Sequence, residues 1–219
     1  MNAQASLLTG KPDKFFVVGW HKTATTSISR ALDSLGIACW HFPYQLYPDL
    51  SKGVLDGRLL ASWSAAADMP IPLFYEDLHR VFPNAKFILT VRETGAWLQS
   101  VKRMFEIGNT LRERLGDRSF WDIETETKYT HFIHEAAYGT RMFDRALFTE
   151  RFERHNRDVR RYFRPWPNQF LELDVSGGLA WQPLCEFVKC AEPKNAFPRL
   201  NVGNLAPWVV DGVVIDPNE

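Results

Sequence analysis

The stretch KFFVVGWHKTATTSISRALDSLG (14–36) constrains the fold more than any other part of the chain. Residues 15–19 are apolar throughout, too few for a helix and without a polar face. They predict a strand buried on both sides, as in a parallel sheet. Residues 24–35 then place Ile28, Ala31, Leu32 and Leu35 on one helical face, and Gly36 ends that helix. A helix that begins directly after a buried strand points its unpaired N–H groups and its positive dipole end past the strand's C-terminal edge. That makes a small anion site. Here Gly19 permits a sharp turn, Lys22 brings a mobile charge, and Thr23, Thr25, Thr26 and Ser27 bring hydroxyl donors. The usual nucleotide-binding spacing, Gly-x-x-x-x-Gly-Lys-Ser/Thr, is missing, because no glycine precedes Lys22.

The same strand–turn–helix logic returns roughly 70 residues later in AKFILTVRETGAWLQSVKR (85–103). Arg92 ends the strand, and Ser100 lies about two turns into the helix. An arginine fork and a serine hydroxyl can hold one phosphate from two sides. The plainer reading of Arg92 is a surface arginine paired with Glu93 or Asp77. Other segments complete an alternation of strands and helices. IACWHF (37–42) and NQFLELDV (168–175) read as strands. GRLLASWSAAA (57–67) reads as helical, MPIPLF (69–74) as a turn into a short edge strand, and YEDLHRVFP as a short helix stopped by Pro83. Residues 118–163 read as mostly helical and LAWQPLCEFVK as a last helix. Such alternation argues for layered α/β architecture around a mainly parallel sheet.

Composition narrows the function. The 219 residues suit a single domain with a real core. The first 13 residues are expected to be flexible, and 202–219 to form a surface tail. The formal net charge is zero, which argues against nucleic acid as a general partner, so any anion site is local. Cys39, Cys185 and Cys190 have no metal-ligand spacing and suit a reducing compartment. There is no basic start followed by an apolar core, and no apolar run near the ~18 residues of a span. A cytoplasmic chain without a membrane span is expected.

The first loop, GWHKTATTSISRAL, resembles the 5′-phosphosulfate loop of the P-loop sulfotransferases, whose common form is Lys-Thr-Gly-Thr-Thr-Ser. The second, VRETGAWLQS, is similar to that family's 3′-phosphate site, an arginine after a strand and a serine eight positions on. ADMPIPLFYEDLHRVFPNAKFILTVR, RFERHNRDVRRYF and FLELDVSGGLAWQPLCEFV extend the resemblance over most of residues 14–201. It implies a P-loop NTPase-like three-layer α/β fold, and 3′-phosphoadenosine-5′-phosphosulfate (PAPS) as sulfonate donor, leaving adenosine 3′,5′-bisphosphate (PAP). A small-molecule acceptor would offer a hydroxyl or an amine. It assigns the loop Gly19, His21, Lys22, Thr23, Ala24, Thr25, Thr26 and Ser27, with Arg92 and Ser100, to the donor. Ala24 stands where the family usually has glycine. If that position needs a positive φ, alanine costs about 1 kcal/mol.

Sulfonate transfer asks a protein to align two groups and to neutralise charge growing on the bridging oxygen. Lys22 and the helix N-terminus sit where that charge develops. A base must take the acceptor's proton. The candidates are His41, at the end of the second strand, and Asp68, both at positions where the resemblance implies polar residues near the acceptor. His21 is a third. Each has a structural alternative: a hydrogen-bonded histidine, a turn cap before Pro70. No metal is expected, since FILTVR ends in arginine rather than an acid, and His131 with His134 lacks a third ligand. RHNRDVRR (154–161) reads as a solvated helix face from which Arg157 or Arg160 could reach a ligand. Trp40, Trp63, Trp97 and Trp121 are either core or pocket walls. Two rival readings are a P-loop small-molecule kinase and a nucleotide-binding member without turnover.

Overall fold

The computed structural model describes residues 14–55, 57–115, 123–200, 208–210 and 213–215. The expected flexible start, 1–13, and most of the expected tail, 202–219, lie outside the described residues, as does Trp121. In chain order the elements are β1 (Phe15–Val17), α1 (Thr25–Ser34), β2 (Cys39–His41), α2 (Tyr47–Leu50), α3 (Gly57–Ala61), β3 (Ala65–Ala67), α4 (Tyr75–Val81) and β4 (Lys86–Val91). There follow α5 (Thr94–Leu115), α6 (Ile123–Tyr138), α7 (Arg145–Phe163), β5 (Phe170–Asp174) and α8 (Trp181–Val188), then the antiparallel pair β6 (Trp208–Val210) and β7 (Val213–Ile215).

Strands β1 to β5 form one all-parallel sheet in the order β2-β3-β1-β4-β5. Its interior strands are apolar on both faces because helices cover both faces. Phe15, Val17 and Ile88 share a core with Ile28, Ala31 and Leu32 of α1 and with Leu184 of α8. Phe16, Val18, Phe87 and Leu89 share another with Leu78 of α4 and Val159 and Phe163 of α7. A third cluster joins Trp20 to α5, α6 and α7 through Trp97, Tyr138 and Phe152. The α/β layering expected from the sequence is therefore the fold found. Among the described residues no helix is long and apolar enough to cross a membrane.

Two local expectations are corrected. The helix expected over 57–67 stops at Ala61, and Ala65–Ala67 is β3, the strand between β1 and β2. Three alanines favour a helix by propensity alone. Here all three are at most 1% exposed, with Ala65 and Ala67 in the core under α1 and Ala66 in the core of the opposite face. Ladder bonds and tight layers on both sides outweigh the propensity. The edge strand expected in 69–74 is a 3₁₀ turn, Ile71–Phe74, that follows a cis Met69–Pro70 peptide.

Candidate active site

The first anion loop leaves β1 along the middle of the sheet. Val18 still donates its N–H to Ile88 O at 2.8 Å, and its own carbonyl meets His155 Nε2 of α7 at 2.8 Å. Gly19 then passes so close to β4 that a Cβ there would stand 2.5 Å from Thr90 O and 2.7 Å from Thr90 N. Glycine at this position is required by space, not by dihedral angle. Thr23 is fully buried and faces inward: its Oγ1 lies 2.5 Å from Trp20 O and 2.6 Å from Thr90 Oγ1. Lys22 (φ 65°) and Ala24 (φ 62°) both adopt the left-handed conformation. Ala24, the N-cap of α1, provides no side-chain cap, and the first turn has no acidic residue, a helix end whose dipole favours an anion. Burial pushes the Lys22 ammonium below its usual range; Asp68 opposes the shift, and Arg92 and Arg103 add to it.

The loop's hydroxyls meet the two base candidates. Parallel pairing of β2 with β3 sets His41 opposite Ala67, one residue before Asp68. His41 Nε2 lies 3.1 Å from Asp68 Oδ2 and 3.3 Å from Thr26 Oγ1. Thr25 Oγ1 donates to Asp68 Oδ2 at 2.9 Å, and the Met69 N–H donates to Asp68 Oδ1 at 2.8 Å. Burial alone would raise the Asp68 carboxyl. The hydrogen bond and charge of His41 and the Met69 N–H outweigh it and hold the carboxyl below its ordinary value. Asp68 (φ 70°) and Phe42 (φ 55°), directly after His41, are also left-handed. His21 is bonded to a different set of residues. Its Nε2 is hydrogen-bonded to Tyr138 OH, its carbonyl accepts Trp97 Nε1–H at 3.0 Å, and burial lowers its pKa to about 4, with Asp68 opposing and Lys22 assisting. Ser27 Oγ accepts the Leu200 N–H at 3.0 Å.

The second loop reaches the first. Arg92 Nη1 donates to Lys22 O at 3.2 Å. Neither carboxylate of the plainer reading takes this arginine: Glu93 receives the Gly95 and Ala96 N–H groups at 2.7 Å each and caps α5, and Asp77 pairs with Arg80 at 2.6 Å. Ser100 lies half-buried on α5. Behind Arg92 a cleft of about 480 Å³ runs between the ends of β4 and β5 and the helix α7, lined by Arg92, Thr94, Asn156, Arg157 and Ser176 among others. The buried Asn156 Oδ1 has no hydrogen-bond partner.

Several residues of this neighbourhood were not singled out in the sequence. RHNRDVRR is only partly solvated: Asn156 and Val159 within it turn inward at helical spacing with Phe152 and Phe163 on either side, a period that the many charges mask. Arg160 is held bidentately by Glu172 at 2.6 and 2.8 Å. Tyr129 and Tyr138 of α6 carried no local signal, yet Tyr129 OH donates to Met69 O at 2.9 Å, and Phe42 meets the Tyr129 ring edge-on at 5.4 Å. The aromatic rings next to His41 and Asp68 are thus Phe42 and Tyr129. Trp97 stacks in the core on Phe152 at 4.0 Å, and Trp40 stacks on Trp63 at 5.7 Å. His134 stacks on Phe105 at 4.5 Å. Among the described residues no group of three His, Cys, Asp or Glu side chains is placed to hold a metal ion. An acidic strand end does exist, on β3 rather than β4: Asp68, bonded to Thr25.

Comparison with known proteins agrees with this geometry. Ava biosynthesis cluster protein M of Aspergillus versicolor is 26% identical over 223 residues, an alignment spanning 85% of this chain and 80% of that protein. A family model described as "Sulfotransferase domain" matches residues 14–205, from the strand before the first anion loop to beyond the last helix of the sheet layer. With both loops, the sheet and its helices inside that match, the chain belongs to the sulfotransferase domain family.

Proposed function

We propose that the chain is a single PAPS-dependent sulfotransferase domain that moves a sulfonate group to a hydroxyl or amine of a small-molecule acceptor. The observation that carries this reading is the Arg92–Lys22 hydrogen bond, which makes the two anion loops neighbours across the sheet edge. A nucleotide with phosphates at both ends of its ribose needs two such points held at a fixed separation. The uncapped first turn of α1 and Lys22 would hold the 5′ end; Arg92 and Ser100 would hold the 3′-phosphate. The cleft behind Arg92, with the unpartnered Asn156 Oδ1 in it, offers the nucleoside room and a hydrogen-bond acceptor. Free thiols at Cys39, Cys185 and Cys190 suit the cytoplasm, where this reading places the protein.

The donor supplies an electrophilic sulfur and a phosphate leaving group. The acceptor oxygen or nitrogen forms a bond to sulfur while the bridging S–O bond breaks in line, and its proton passes to the protein. Lys22 and the first-turn N–H groups would stabilise the charge that grows on the leaving phosphate. His41 would take the proton: an imidazole that gives its Nε2–H to Asp68 keeps Nδ1 as the basic nitrogen. Asp68, held ionised, would stabilise the imidazolium.

One observation favours a second reading, a small-molecule kinase: the Thr25–Asp68 contact has the form of a magnesium site beside a phosphate loop. Against it, both Asp68 oxygens already meet protein donors. A thermal-shift series separates the two. Adenosine 3′,5′-bisphosphate at ~100 times its Kd is expected to raise the Tm by roughly 5–10 °C, and Arg92→Ala to remove the shift. No shift at saturation overturns the sulfotransferase reading, and a larger shift with ATP–magnesium replaces it with the kinase.

A further inference from the structure

Beneath the anion loop, His21 is held at both its ring and its backbone. Tyr138, the last residue of α6, is hydrogen-bonded through its hydroxyl to His21 Nε2, and Trp97 of α5 donates to the His21 carbonyl at 3.0 Å. Both rings are completely buried. Tyr138 is fixed by stacking on Phe148 at 3.7 Å and by Trp20 edge-on at 5.2 Å. Trp97 is fixed by stacking on Phe152. The residue that follows His21 is Lys22, at φ 65°. A long side chain holds such a conformation only where its surroundings over-determine it. Those surroundings are the grip on the His21 ring, the grip on its carbonyl, and Arg92 on the Lys22 carbonyl. Burial keeps the His21 imidazole neutral, so it puts no like charge beside the Lys22 ammonium.

We propose that Tyr138 and His21 form a positioning pair: their buried hydrogen bond fixes the left-handed turn at Lys22 and thereby the direction in which its ammonium meets the 5′ end of the donor. The proposal rests on the donor reading above. In this role both side chains act through the backbone of Lys22.

The test is calorimetric titration of the full chain with adenosine 3′,5′-bisphosphate and with adenosine 3′-monophosphate, which lacks the group that reaches the loop. Tyr138→Phe removes one hydroxyl. It is expected to weaken bisphosphate binding roughly tenfold and to leave monophosphate binding within about twofold of wild type. His21→Leu breaks the pair from the other side and is expected to show the same selective loss, so the outcome does not depend on one variant folding. His21→Gln, whose amide reaches the same point, is expected to keep bisphosphate binding within about threefold. Equal losses for both nucleotides, an undiminished bisphosphate affinity, or a Gln variant as weak as the Leu variant overturns the pair's role while the donor reading stands. A wild-type chain that binds neither nucleotide overturns the donor reading, and the pair with it.

Discussion

Alanine at position 24 adopts a backbone conformation that glycine takes without strain. Of the five described non-glycine residues with positive φ, Lys22, Ala24, Phe42 and Asp68 all border the candidate site. Strain gathered in this way marks a place where the surrounding structure imposes geometry on the chain. Where the family usually has glycine, the backbone does take a positive φ. Gly19 answers to close approach and residue 24 to positive φ. For Ala24→Gly, relief of the left-handed conformation, about 1–2 kcal/mol, is partly offset by the extra freedom of an unfolded glycine, about 0.4–1 kcal/mol. The expected result is a rise in the urea midpoint worth about 0.5–1 kcal/mol, read from equilibrium unfolding. A lower midpoint would mean that the alanine carries no strain.

Among the elements, α7 links the sheet to the loop, since it sends His155 to Val18 and packs Val159 and Phe163 under the sheet. Its start is set by Asp144, whose Oδ1 accepts the Leu147 N–H at 2.8 Å. Asp144→Ala is expected to lower stability by about 1 kcal/mol, seen as a Tm lower by roughly 2–4 °C, while leaving bisphosphate binding intact. What was legible at this scale follows the same logic. β4 and the β1–α1 unit could be read because long apolar runs and helical periodicity are local signals. β3 could not, because three alanines carry neither alternation nor bulk. Its identity depends on being sandwiched between β1 and β2. The site inherits that blind spot. His41 and Asp68 could be named from the sequence as separate candidates, but only the β2–β3 register makes them partners. Tyr138 and His21 are 117 residues apart, and nothing in either segment announces the other.

Across the whole molecule, acid stability should be set by buried neutral histidines. His21 and His155 both have folded-state pKa values lowered from 6.5 to about 4 by burial. Unfolding lets each take up a proton in that interval, so stability is full above about pH 6.5 and is lost as the pH falls toward 4. The loss is up to about 3 kcal/mol for His21, and less for His155, which keeps part of its surface in water. Asp68 differs in cause: contacts rather than burial depress its folded pKa from an already low value, so its contribution disappears only at still lower pH. Urea unfolding at pH 7.5, 6 and 5 is expected to show a steady fall, made shallower by His155→Gln. An unchanged midpoint from 7.5 to 5 would contradict the buried, neutral state of both rings. The hydrogen bond from Leu200 to Ser27 has another kind of consequence, one of timing. Its ends are 173 residues apart, and at ~5–20 residues per second the ribosome needs roughly 9 to 35 s to add the second after the first. His21 and Val18 wait in the same way for Tyr138 and His155. The contacts that hold residues 18–27 are therefore completed only in steps, as Tyr138, His155 and Leu200 emerge in turn.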